Sequence, residues 1–174
     1  MKSGAFLLLL CIMTCKSYSQ IEAVYFLPKG DDKFNIGFGA ALKFGIPVSE
    51  AARATVEAGV VYAAISGSDN SQGIALVPVK LGYRYTLNGT GSGFFVEPQA
   101  GYCVYGAFTN DVVDRKINGF QWSVGTGFLF QPGRSTQYEI GLRYETIHFK
   151  DGGPLSFIGL RLSSNFSFRS RDID

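Results

Sequence analysis

Beyond Gln20 the chain alternates apolar and polar residues with a period of two, and the pattern returns eight times. Ser156–Phe168 is the plainest case: Ile158, Leu160, Leu162, Phe166 and Phe168 fall on one face, and Gly159, Arg161, Ser163, Asn165 and Ser167 on the other. Period-two alternation puts the two sets on opposite faces of a β-strand. Tyr138–Phe149 sets Tyr138, Ile140, Leu142 and Tyr144 against Glu139, Gly141, Arg143 and Glu145. Phe120–Gln131 and Phe34–Ile46 repeat the design, with Trp122 and Phe44 on the apolar side and Gly125 and Lys43 on the polar side. Ile74–Leu87, Phe94–Phe108 and Ala54–Ser66 are noisier but keep Lys80, Arg84, Glu97 and Glu57 on one face. Ile21–Pro28 is short, with Glu22 its only charge. No segment after Gln20 carries the i, i+3, i+4, i+7 spacing of an amphipathic helix.

Eight strands is an even number, and the connections between them are short. Residues 20–174 allow about 19 residues per strand and connection, and a membrane-crossing strand needs about 9–11. The pattern therefore predicts one all-β domain over residues 20–174. It is an eight-stranded antiparallel up-and-down transmembrane β-barrel, with no room for a second domain.

Residues 1–19 read as an address. Lys2 gives a positive start, Ala5–Met13 is a short apolar run, and Ser17-Tyr18-Ser19 offers small residues where a signal peptidase cuts. The run is too short to span a bilayer as a helix. A lipoprotein would carry its lipid on Cys15, but Thr14 and Met13 precede that residue where a small residue is expected. Cleavage after Ser19 removes Cys11 and Cys15, so only Cys103 remains and no disulfide framework is expected despite export. The formal net charge of +2 also disappears, because Lys2 and Lys16 leave with the leader.

Charge separates a membrane barrel from a soluble one. Only 17% of the residues are charged, below the usual quarter. Within the expected strands the charges are Glu22, Lys43, Glu57, Lys80, Arg84, Glu97, Glu139, Arg143, Glu145 and Arg161, and all fall on the polar, Gly-rich face. A soluble lipocalin-like barrel, apolar inside and charged outside, would have the reverse. Here the charge-free face would expose more apolar surface than a soluble monomer tolerates, but it matches lipid. Tyr25, Tyr62, Phe94, Trp122, Phe130, Tyr138 and Tyr144 near strand ends suit aromatic girdles. Eight strands enclose a space that side chains just fill. The five acids and five bases are expected to neutralise one another there as a structural ion-pair network. Inward glycines such as Gly82, Gly125 and Gly159 would make room for it.

Certain motifs carry a resemblance. Pro28-Lys29-Gly30-Asp31 after the first strand is followed by Phe34-Asn35-Ile36-Gly37-Phe38-Gly39. Later come Gly141-Leu142-Arg143-Tyr144-Glu145, the Gly152-Gly153 loop and Ser156-Phe157-Ile158-Gly159-Leu160-Arg161-Leu162. Over nearly the whole mature chain this resembles the small outer-membrane β-barrel domain proteins of the Bacteroidota type, with an OmpA/OmpX-like barrel. The resemblance implies both termini in the periplasm and the odd-numbered connections outside the cell. It assigns no activity. Such barrels usually end on an aromatic residue, whereas here Arg169–Asp174 follows Phe168.

Other chemistry is sparse. His148 is the single histidine. By phase it faces lipid while Glu145 faces the lumen, so no acid supports it as a base for an acyl hydrolase. Cys103 points inward near Gln99, Gly101 and Tyr105 as a packed thiol. Asp31, Asp32, Asp69, Asp111 and Asp114 sit in expected external loops without the spacing of a calcium loop. Gly89-Thr90-Gly91-Ser92-Gly93 lies between strands with no helix after it, which a phosphate loop requires. No basic cluster suits nucleic acid, and 15 Phe with 9 Tyr exclude a disordered chain. The expected function is a non-enzymatic, integral outer-membrane protein, structural in the envelope or interacting at the surface. It needs no cofactor and no metal and is a monomer. Its partners are outer-membrane lipid and lipopolysaccharide, and the barrel-assembly machinery during insertion. The alternatives are a lipid-modifying outer-membrane enzyme and a secreted soluble β-barrel binder.

Overall fold

Eight antiparallel strands follow one another around a closed barrel, each bonded to the next and the last to the first. The computed structural model describes residues 16–27, 34–65, 73–89, 92–109, 115–130, 137–150 and 153–166. The strands are β1 Lys16–Phe26, β2 Phe34–Pro47, β3 Ala52–Ile65, β4 Gly73–Thr86, β5 Gly93–Thr109, β6 Arg115–Phe130, β7 Tyr138–Phe149 and β8 Pro154–Phe166. Closure is made by β1 on β8, with Glu22 opposite Arg161 and Ile21 opposite Leu162. A closed ladder leaves no edge strand.

Each expected run is a strand, with shifted ends. β1 begins at Lys16, so Lys16–Ser19, expected to belong to the leader, pair with β2 and β8. β6 begins at Arg115 rather than Phe120, because the β5–β6 ladder resumes beyond an irregularity between Cys103 and Gly106. The connection left between the expected runs Phe94–Phe108 and Phe120–Gln131 is shortened accordingly. Lys16, Arg53, Arg115 and Lys116 thus join the ten charges expected in strands. A second irregularity falls between Val77 and Pro78 of β4, where proline interrupts the ladder to β5.

Strand alternation sorts the side chains sharply. Phe38 is 70% exposed and Leu81 65%, whereas Lys43 is 1% and Lys80 0%. The barrel therefore wears its apolar residues outside and its charges within. One end carries the chain termini and the β2–β3, β4–β5 and β6–β7 connections; the other carries the β1–β2, β3–β4, β5–β6 and β7–β8 connections. In the turn between β4 and β5, Gly89 adopts φ +71° and Gly93 φ +89°, which glycine reaches without strain.

Candidate functional site in the barrel lumen

The ten charged residues are buried in the lumen and meet there as a continuous network. Register explains the meeting. Lys43 lies opposite Glu57 on β2–β3, and Glu57 opposite Lys80 on β3–β4. Glu57 is the hub: its carboxylate lies 3.2 Å from Lys43 Nζ, 2.9 Å from Lys80 Nζ, 2.6 Å from Arg143 Nη1 and 3.5 Å from Arg161 Nη1. Glu97 is the second centre, at 2.9 Å from Lys43 and 2.6 Å from Arg84, and it accepts a 2.9 Å bond from Thr55 Oγ1. Glu139 bridges Arg84 at 2.7 Å and Arg161 at 3.2 Å. Glu145 holds Lys80 at 2.7 Å and Arg143 at 3.2 Å, and Arg143 also pairs with Glu22. Gln99 donates to Glu57 at 3.1 Å and accepts from Ser123 at 3.1 Å, extending the network with neutral groups.

Such an arrangement holds ten charges out of water only because each meets an opposite one; a lone buried charge would cost several kcal/mol. Among the described residues, these ten charges face one another in the lumen rather than solvent. Among the described residues no group of three or more His, Cys, Asp or Glu is placed to hold a metal ion.

The lumen is not filled by ions alone, however. Toward the end opposite the chain termini, Val24, Phe26, Val61, Ala63, Ile74, Leu76, Cys103, Ile147 and Phe157 form a buried apolar cluster, with Phe149 and Leu155 packed against it. The Phe26 and Phe157 rings lie 5.1 Å apart. At the opposite end Arg84 sits 4.1 Å over the Phe95 ring, and Tyr18 bonds with Arg53 and Gln137. The ionic layer is thus closed by an apolar upper cap and, at the opposite end, by a mixed layer of Tyr18, Arg53, Gln137 and the Phe95 ring. The signal for the upper cap lay in phase: Val24 and Phe26 continue the face of Glu22, Leu76 and Ile74 that of Lys80, and Ile147 that of Glu145.

The inward glycines divide into two groups. A Cβ on Gly159 would strike the Glu22 carboxylate, one on Gly82 would lie 2.7 Å from Gln99 Cγ and Thr55 Oγ1, and one on Gly125 would lie 3.3 Å from Arg161 Nη2. Gly101 and Gly127 instead sit tightly against the backbone of the neighbouring strand, so they permit strand approach rather than make room for charge.

Cys103 is buried in the apolar cluster and forms no disulfide among the described residues. His148 is exposed on the outer face, opposite Phe120 and Pro154, while Glu145 on the same strand is fully inward. The loop aspartates Asp31, Asp32, Asp69, Asp111 and Asp114, the Tyr105 side chain and the tail beyond Phe166 lie outside the described residues.

A closed eight-stranded barrel, apolar outside and ion-paired within, has the architecture of small outer-membrane barrels. No family model and no curated protein matches the sequence. Solved structures do match in fold. Neisserial surface protein A is similar with a TM-score of 0.62 and 16% identity, over 87% of this chain and 97% of that one. Ail, the attachment invasion locus protein of Yersinia pestis, gives 0.58 and 13%, over 87% and 95%. The N-terminal β-barrel domain of Pseudomonas aeruginosa OprF gives 0.53 and 12%, over 87% and 97%.

Proposed function

We propose that the chain is a non-enzymatic, integral outer-membrane protein, exported by the leader at residues 1–19 and serving envelope structure or surface interaction. The observation that carries the reading is the partition of charge. All ten network residues are buried in the lumen, while residues such as Ile36, Phe38, Leu42, Leu81, Phe94 and Leu142 are exposed around the outside. In water that outer face would drive aggregation. In a bilayer it is matched to hydrocarbon, and closure satisfies the backbone groups that lipid cannot. Phe94, Phe130 and Tyr138 near one end and Tyr25 and Tyr62 near the other suit the two interfaces. The similarity in fold to three outer-membrane barrels supports the same placement. With the leader cut after Ser19, Gln20–Tyr25 still pair with both neighbours.

The test is membrane fractionation of cells expressing the protein, combined with electrophoresis of unheated and boiled samples. Recovery in the outer-membrane fraction, with a mobility that shifts on boiling, is expected. Recovery in the soluble periplasm without detergent would overturn the reading.

A further inference from the structure

The outer face is apolar over most of its height but not on β6, β7 and β8 toward the end opposite the chain termini. There Tyr144 Oη donates to Ser156 Oγ at 3.3 Å, and the hydroxyls of Thr146 and Ser156 lie 3.0 Å apart. Thr146 stands opposite Ser156 on one side and opposite Trp122 on the other. The Trp122 and Tyr144 rings are 5.6 Å apart. The next outward residue on β7 is His148, which is exposed, and Lys150 opens the following turn, also exposed. One strand further round, Tyr102 Oη donates to Asn118 Oδ1 at 3.2 Å. The corresponding end of β1, β2 and β3 presents Tyr25, Ile36, Phe38 and Tyr62 instead. The polar patch is therefore local to one side of the barrel.

Hydroxyls and an ammonium are costly in hydrocarbon and favourable at the headgroup level, where Trp and Tyr also sit. The patch lies just beyond such a Trp–Tyr pair and offers hydroxyl donors, an imidazole and a cation. That set complements a phosphate monoester. We propose that Tyr144, His148, Ser156 and Lys150, with Thr146 buried behind them, form a headgroup site for a phosphorylated glycolipid of the outer leaflet. Lys150 and the hydroxyls receive the phosphate, and Trp122 packs beside the lipid. This rests on the outer-membrane reading above and names where that membrane's lipid is held.

Trp122 is the only tryptophan, so its fluorescence reports the site directly. Folded protein in detergent micelles is titrated with diphosphoryl lipid A, with the same lipid dephosphorylated, and with inorganic phosphate. Diphosphoryl lipid A is expected to give a saturable change in emission. Binding should be about tenfold or more weaker for dephosphorylated lipid A, and likewise for a His148→Ala/Lys150→Ala variant. Ser156→Ala should fall between. Equal titrations for the two lipids, or for wild type and the double variant, would overturn the proposal, as would an equal response to inorganic phosphate alone. A boiling-dependent mobility shift establishes that each variant is folded. Failure of the outer-membrane reading would show separately, as soluble recovery on fractionation.

Discussion

Glu57 meets four cations, Lys43, Lys80, Arg143 and Arg161, whereas Glu139 meets Arg84 and Arg161. Removing one partner of a buried ion pair costs about 3–5 kcal/mol, because the remaining charge is left without compensation. Glu57→Gln is therefore expected to destabilise the folded barrel by about that amount, and Glu139→Gln by less. The urea midpoint in detergent, read by the loss of the fast-migrating band, checks both; an equal or reversed order would contradict a hub at Glu57. Gly159→Ala places a methyl group on the Glu22 carboxylate and should cost about 1–3 kcal/mol by overpacking. A midpoint unchanged from wild type would show that Glu22 moves aside freely.

At the scale of strands, the eight runs were legible because period-two alternation is regular wherever one face is apolar and the other charged. Their ends were less legible. Lys16–Ser19 carries both a cleavage signal and a strand phase, with Tyr18 facing inward like Gln20 and Glu22. The breaks at Val77–Pro78 and between Cys103 and Gly106 explain why β4 and β5 read as noisy. The apolar cap inside the barrel was hidden for another reason. Val24, Leu76 and Ile147 lie on the inward face, but hydrophobicity alone does not distinguish lipid from a dry lumen. Only the phase carried from Glu22, Lys80 and Glu145 does so. The cap's weight can be measured at Phe157, which is fully buried against Phe26. Phe157→Ala should cost about 3–5 kcal/mol, as expected for a large core deletion. A loss below about 1 kcal/mol would mean that the cap contributes little to folding.

For the whole molecule, the ionic layer and the apolar cap close the same lumen in series. Ions would have to displace the paired charges and then cross a dry cluster, so the purified protein is expected to show no stable single-channel steps in a planar bilayer. Sustained steps would contradict a filled lumen. The central claim concerns the other side of the wall, that the outer face meets hydrocarbon. Nitroxide labels on Ile140→Cys and Leu142→Cys, in protein with Cys103→Ala reconstituted into lipid vesicles, test it most directly by comparing collisions with oxygen and with a water-soluble nickel complex. The placement of both side chains on the exposed face predicts high oxygen accessibility and low nickel accessibility. Nickel accessibility equal to that of a label on the exposed turn residue Glu50 would contradict a membrane-facing wall.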